Sequence, residues 1–320
     1  MSIDFKSRFA EDINGMIELF VSLGYAENTY IPRAKSFDSF CAEYFPESDV
    51  LTETIVRKWA DPKSTSTPSV AHSRIAFARC LSDYQQVIGK NAVQIKNNFT
   101  TKKSMFIPYI FTDDELTALF KAIDSYDSND RLLSLMHSVY FRLTYTCGLR
   151  PREGRNLKRG DIDLKTGEFR VESSKYHISR LLIMSDDMRS LAEYYTNLRD
   201  ISYPDNSLFF PGKKGNGLND GSLLRIFKEC FKESKPGIPE RLLPSVRIYD
   251  LRHQFATATL NRWLDQGRDL NTMLPYLQTF MGHTSLSSTM YYIHLLPENL
   301  VKSAKIDWDR MNKVIPEVVE

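Results

Sequence analysis

Apolar positions recur at helical spacing through the first hundred residues. Ile13, Met16, Ile17, Phe20 and Val21 fall on one face of a helix. The stretches 30–44, 52–59 and 70–87 carry the same period and predict three more helices. Residues 61–69, with Pro62, Pro68 and a run of Ser and Thr, interrupt that period and predict a loop. A second polar stretch, 97–110, contains Pro108 and reads as a linker. Directly after it, Thr112, Asp113, Asp114 and Glu115 have the form of a capping box ahead of the apolar Leu116, Leu119 and Phe120. The pattern therefore predicts a helical first domain, 1–105, and a second domain, 106–320.

The second domain opens with helical pattern, including a long apolar helix over 130–146. Between 161 and 184 the period changes. The segments 161–164 and 168–172 read as strands around a turn at Gly167, and 179–184 as a third strand. Ser185, followed by Asp186 and Asp187, marks the return to helix, since acidic groups favour a helix N-terminus. The fold class expected is mainly α with a small antiparallel sheet: a helical N-terminal domain plus a mixed α/β domain.

Composition narrows the function classes. The chain has 320 residues, 42% of them hydrophobic, enough for both domains to bury a core. No run of about 18 apolar residues predicts a membrane span, and no N-terminal apolar run reads as a signal peptide. A cytoplasmic protein, nucleoid-associated in a bacterial cell, is the expectation. Cys41, Cys80, Cys147 and Cys230 are widely spaced with no C-x-x-C, which predicts reduced core thiols and no metal. The net charge is only +2, but its distribution is uneven. Residues 1–53 carry four basic and ten acidic side chains; residues 54–105 carry nine basic ones against Asp61 and Asp83. A basic face turned to a polyanion accounts for this, as does a solvated helix surface.

Breaking a phosphodiester without a metal requires a nucleophile, fixed positive charge on the non-bridging oxygens, an acid for the leaving oxygen and an acceptor for the nucleophile's proton. Arginine suits the clamp because its planar fork matches phosphate and stays charged. Candidates occur in a suggestive order. Gly148, Leu149 and Arg150, with Glu153 beyond, follow the long helix. Lys175 sits at the tip of the strand pair. Tyr249 and Arg252 lie one helical turn apart, with His253 adjacent. His283 follows a helix-ending Gly282, and Tyr292 comes nine residues later.

On these residues the second domain, over roughly 110–300, resembles the catalytic domain of the tyrosine recombinases, or phage integrase family. That family's pattern is G-L-R-x-x-E, a hairpin lysine, H-x-x-R-H, G-H, and a tyrosine nine residues after that histidine. The first domain resembles the family's core-binding domain in helical character. The resemblance implies that Tyr292 attacks the scissile phosphate, forming a 3′-phosphotyrosine and freeing a 5′-hydroxyl, with no ATP, metal or other cofactor. It implies that Arg150 and Arg252 clamp the phosphate, that Lys175 is the general acid and that His283 donates a hydrogen bond to the phosphate. Glu153 would orient Arg150, and His253 would support its helix through a buried hydrogen bond. Tyr291, about 100° around a helix from Tyr292, would face elsewhere.

One position departs from the pattern: Tyr249 stands where the family usually has histidine. With an ordinary pKa near ~10, tyrosine donates a hydrogen bond but is a poor base. Proton removal then falls to His283 or to solvent. The implied partners are double-stranded DNA, with Arg74, Arg79, Lys102 and Lys103 as candidate phosphate contacts, and further copies of the chain: a dimer at one site, a tetramer in synapsis. An apolar stripe of Ile306, Met311, Val314, Ile315 and Val318 predicts a C-terminal helix docked on a neighbour or on its own domain. Site-specific recombination for a mobile element is the expected function. A type IB-like topoisomerase and a catalytically weak DNA-binding accessory protein remain open.

Overall fold

The computed structural model describes residues 3–25, 27–61, 68–95, 107–126, 130–172, 179–212 and 215–296. The chain folds as two compact units, Met1–Ile107 and Pro108–Glu320. Residues 97–106 of the expected linker, Lys102 and Lys103 with them, lie outside the described residues, as do Lys175 and the C-terminal stripe.

In the first unit, helices α1 (Ala10–Ser22), α2 (Ile31–Tyr44), α3 (Glu53–Trp59) and α4 (Pro68–Val87) enclose one apolar core. Phe37 meets Phe9 and Trp59 edge to face, the geometry favoured by the ring quadrupoles. Helix α4 starts two residues before the expected Val70, because proline fits a first helical turn where no N–H is needed. Arg74 and Arg79 are tied within this unit. Arg74 donates to the Trp59 carbonyl at 2.5 Å and lies over the indole, and Arg79 donates to the Ile95 carbonyl at 3.3 Å. Both are half-buried, so part of each guanidinium is already committed.

In the second unit, α5 (Asp113–Asp124) begins with the expected capping box: Thr112 Oγ1 accepts from the Glu115 N–H, and Glu115 accepts from the Thr112 N–H. Helix α6 (Arg131–Thr146) is the centre. Met136, Val139, Tyr140, Phe141 and Leu143 are all buried, so it is apolar around most of its circumference and is surrounded by α5, α8 (Asp186–Ser202) and α10 (Ile248–Asp265). The short α7 (Pro151–Arg155) follows it, and α9 (Asp220–Glu233) packs on α5. Helices α11 (Leu270–Met281) and α12 (Leu286–Met290) lead to a 3-10 turn, Tyr291–Leu295. No described helix is long and apolar enough to cross a membrane.

Two apolar clusters make up this unit. Ile248 and Leu251 of α10 belong to the larger, with α5, α6, α8, α9 and the sheet. Ala256 and Leu260 of the same helix belong to the smaller, with Leu270, Leu274, Leu277 and Met281 of α11 and with Met290, Tyr292, Ile293 and Leu296. Arg252 falls at the junction.

The sheet has two strands, not the three expected. β1 (Glu168–Glu172) pairs antiparallel with β2 (Ser179–Ile183), placing Phe169 opposite Leu182 and Val171 opposite Arg180. The segment 161–164 is no strand because it is consumed by turns. Arg159–Asp161 is a 3-10 turn, the Gly167 N–H bonds back to the Asp163 carbonyl, and Ile162 keeps one bridge to Phe169.

Gly148, which ends α6, has φ +58°, and a Cβ there would lie 2.5 Å from Cδ1 of Phe255. Gly148→Ala is therefore expected to lower stability by about 1–2 kcal/mol for the backbone alone, with the clash added. Gly160, with open space around it, is the control, and Gly160→Ala should leave the urea midpoint unchanged. Equal midpoints for the two variants would contradict this account.

Candidate active site

Four stretches of chain converge on one buried cluster. Arg150 is the N-cap of α7, turned out of helix by the positive φ of Gly148 two residues before it. Tyr249 and Arg252 lie in the first turns of α10. Gly282 ends α11 in the left-handed region at φ +65°, which releases His283 from the helix. Tyr292 lies in the 3-10 turn after α12, where successive side chains differ by about 120°.

The arginines hold these stretches to each other. Arg252 is fully buried; its Nη1 donates to the Gly148 carbonyl, and its Nη2 donates to the Met281 carbonyl at 2.7 Å and reaches His283 Nε2 at 2.9 Å. Arg150 Nη2 donates to the Gly282 carbonyl at 2.7 Å, and Nη1 to Glu153 Oε1 at 2.6 Å. Each arginine thus anchors on a carbonyl beside a positive-φ glycine. The Arg252 Nε–H is buried without a well-formed hydrogen bond, and its guanidinium interacts with the Tyr292 phenol.

The electrostatics follow from burial. Burial alone would raise the Glu153 carboxyl, but Arg180 and Arg150 outweigh it and hold it at about 2. Burial also opposes the charge on Arg150, yet Glu153 and Tyr249 raise its pKa overall. His283 is lowered to about 3, first by burial and then by Arg252, Arg150 and Arg180, so it is neutral. Since an arginine N–H donates to Nε2, the ring proton sits on Nδ1, which faces the buried Thr289 hydroxyl at 2.8 Å. Burial pushes Tyr292 up to about 12, and Arg252 is the group that most opposes the rise. Tyr291 faces Arg247 and Asp250 instead.

The cluster brings together Arg150, Glu153, Tyr249, Arg252, His253, His283 and Tyr292. Tyr249 is half-buried and lies within hydrogen-bonding reach of Arg150. His253 differs from expectation. Its Nδ1 is buried with no hydrogen-bond partner, and the ring packs among Tyr249, Tyr291 and Tyr292 at centroid distances of 5.0, 6.2 and 5.5 Å. On the first turns of α10 it packs among these rings, with Arg247 and Arg252 near enough to act on its charge. Two residues went unnoticed in the sequence. Thr289 accepts from the His283 Nδ1–H, and Arg180, on β2, binds both Glu153 oxygens. Arg180 carried a signal: strand alternation puts it on the same inward face as Leu182, an unusual place for a charge. Among the described residues, no group of three or more His, Cys, Asp or Glu is arranged to hold a metal ion.

Known proteins give this arrangement its context. Residues 110–299 match the profile of the phage integrase family. The Sinorhizobium fredii protein y4rB, described as an integrase/recombinase, is 28% identical over 79% of this chain and 82% of its own. The tyrosine recombinase XerC of Staphylococcus aureus is 26% identical over 72% of this chain and 71% of its own. The fold is that of XerH site-specific recombinase, solved bound to a palindromic difH substrate in a post-cleavage complex (TM-score 0.63, 19% identity, 88% of this chain and 80% of that one). It is also that of the Tn1549 transposon integrase, solved in complex with transposon right end DNA (TM-score 0.61, 14% identity, 93% and 97%). Fold and site define a DNA breaking and rejoining enzyme of the tyrosine recombinase class. The chain belongs to the phage integrase family.

The neutral, buried histidines generate a pH dependence. His253 is lowered to about 4 by burial, then by Arg247 and Arg252, and His283 to about 3. The unfolded chain protonates both near ~6.5 while the folded chain does not, so stability is whole above that pH and falls as pH drops toward 4. The slope is up to about 1.4 kcal/mol per pH unit for each histidine. His253→Phe, which keeps the ring but cannot titrate, should flatten the fall in urea midpoint between pH 7 and pH 5. An unchanged slope would count against a neutral His253. Glu153 acts elsewhere: its contribution is lost only as pH falls from about 4.5 through about 2.

Proposed function

We propose that the chain is a site-specific recombinase that cuts and rejoins duplex DNA through a 3′-phosphotyrosine at Tyr292. The observation that carries the reading is the convergence of Arg150, Tyr249, Arg252, His283 and a buried Tyr292 on one cluster. The Tyr292 hydroxyl attacks phosphorus, the bond to the 5′-oxygen breaks, and that oxygen takes a proton from Lys175. Arg150 and Arg252 carry the added negative charge of the transition state, with Tyr249 donating to the same oxygens. The phosphate must compete for donors now spent on the Gly148, Met281 and Gly282 carbonyls, so binding DNA and assembling the clamp are one event.

The proton of Tyr292 goes to His283. Once Arg252 turns to phosphate, the Nε2 lone pair is free, and the phosphate's charge raises the histidine's affinity for a proton. The stacked rings of His283 and Tyr292, 6.0 Å apart, support this pairing over Tyr249 as base. The ester keeps the bond energy, so attack by a 5′-hydroxyl of the same or a partner strand restores the backbone. The relatives support recombination over simple relaxation: XerH was solved on a difH substrate, and lambda integrase as a tetramer bound to a Holliday junction. The reading is therefore of a cytoplasmic enzyme that pairs as a dimer on one site and as a tetramer in synapsis. Its task is integration, excision or transposition of a mobile element.

On a nicked duplex carrying the target site, from which the cut fragment diffuses away, wild-type protein should accumulate a covalent adduct. Tyr292→Phe should form none and Tyr291→Phe should form it at near wild-type level. Arg150→Ala should slow it by about 10²–10³-fold, the cost of one lost transition-state donor. Adduct formation by Tyr292→Phe, or its loss in Tyr291→Phe, would move the nucleophile elsewhere.

A further inference from the structure

Arg180 is a buried charge that the mechanism above does not use. Its side chain is 6% exposed and projects from β2 on the core-facing side, opposite Val171. Its two terminal nitrogens donate to the two oxygens of Glu153, at 3.0 and 2.8 Å, and its Nε donates to the Phe280 carbonyl at 2.8 Å. Glu153 is thereby saturated. Oε1 accepts from Arg180 and from Arg150 Nη1, and Oε2 accepts from Arg180 and from the Arg150 backbone N–H. Arg150 completes the circuit through the Gly282 carbonyl, two residues past Phe280.

We propose that Arg180 is a positioning residue for the phosphate clamp: by fixing both oxygens of Glu153, it sets the direction in which Arg150 presents its guanidinium. The inference rests on the reading of Arg150 as a phosphate ligand. Two physical reasons support it. A lone Glu153 would still pair with Arg150, but its carboxylate could turn about its own bonds and carry the guanidinium with it. A lone pair of Arg150 and Glu153 is also neutral, whereas two arginines on one carboxylate leave a net positive charge facing an incoming anion. The second bond system, from Arg180 to Phe280, holds the end of α11 where Gly282 and His283 turn out. A methyl group on Gly282 would come 3.0 Å from Arg180, so the two are in direct contact.

The test separates positioning from simple charge balance, because removing one partner of a buried ion pair destabilises a fold by itself. Adduct formation in a single turnover on the nicked duplex, affinity for that duplex and thermal unfolding are measured on the full chain. Arg180→Met should cleave about 10²-fold more slowly, the scale expected for a misplaced catalytic group, with affinity changed far less. Arg180→Lys, which keeps the charge and part of the bonding, should recover some of the rate. The combined variant Arg180→Met with Glu153→Gln removes the buried carboxylate that Arg180 no longer helps to satisfy and should regain stability while staying slow, like Glu153→Gln alone. If the combined variant regains both stability and wild-type rate, or if Arg180→Met cleaves at wild-type rate, Arg180 only balances charge and the inference falls. Should wild-type protein form no adduct at all, the proposed function fails first; a cleaving wild type with an unaffected Arg180→Met sinks this role alone.

Discussion

The second unit depends on how it satisfies the buried guanidinium of Arg252. A charge taken fully out of water is costly unless oriented dipoles replace its hydration. Among the described residues, no carboxylate pairs with it directly. The Gly148 and Met281 carbonyls and His283 Nε2 do that work, and they come from the end of α6, the end of α11 and the loop beyond. One side chain thereby fastens three segments at the junction of two apolar clusters. The glycines at 148 and 282 are needed for the same reason: a positive φ at each turns the chain where α6 and α11 end, and each has a side chain packed where a Cβ would go.

The same constraint explains the state of Tyr292. Tyr292 packs as a core residue, 2% exposed, beside Met290 and Ile293. Burial holds its phenol protonated, and Arg252 and Arg150, which also bind carbonyls, only partly oppose that effect. Arg150 is held differently, by a carboxylate saturated from two sides, so its aim is preset.

Much of the site was legible in the residues because turn chemistry and spacing are local. The breaks before Arg150 and His283 follow from Gly148 and Gly282, the helix carrying Tyr249 and Arg252 from its period, and Tyr292 from its distance to His283. Helix starts at Thr52, Thr112, Asp130 and Ser185 were carried by their side-chain caps. What stayed hidden depends on tertiary partners. The strand pattern at 161–164 lost to two tight turns that left Ile162 one bridge. His253 was expected to use a hydrogen bond and instead fills a gap among three tyrosine rings. Arg74 and Arg79 looked free for phosphate because basic charge is visible in a sequence, whereas their ties to the Trp59 and Ile95 carbonyls are not. Strand alternation hinted that Arg180 points inward with Leu182, but only the folded chain shows that its partner there is Glu153.

The most direct measurement is chemical. The covalent complex trapped on a nicked duplex is digested with nuclease and protease, and the peptide that retains a nucleotide is sequenced by mass spectrometry. The account predicts a nucleotide joined through its 3′-phosphate to the oxygen of Tyr292, with a free 5′-hydroxyl on the released strand. A nucleotide on Tyr291 or on any other side chain, or a linkage through the 5′-phosphate, would contradict it.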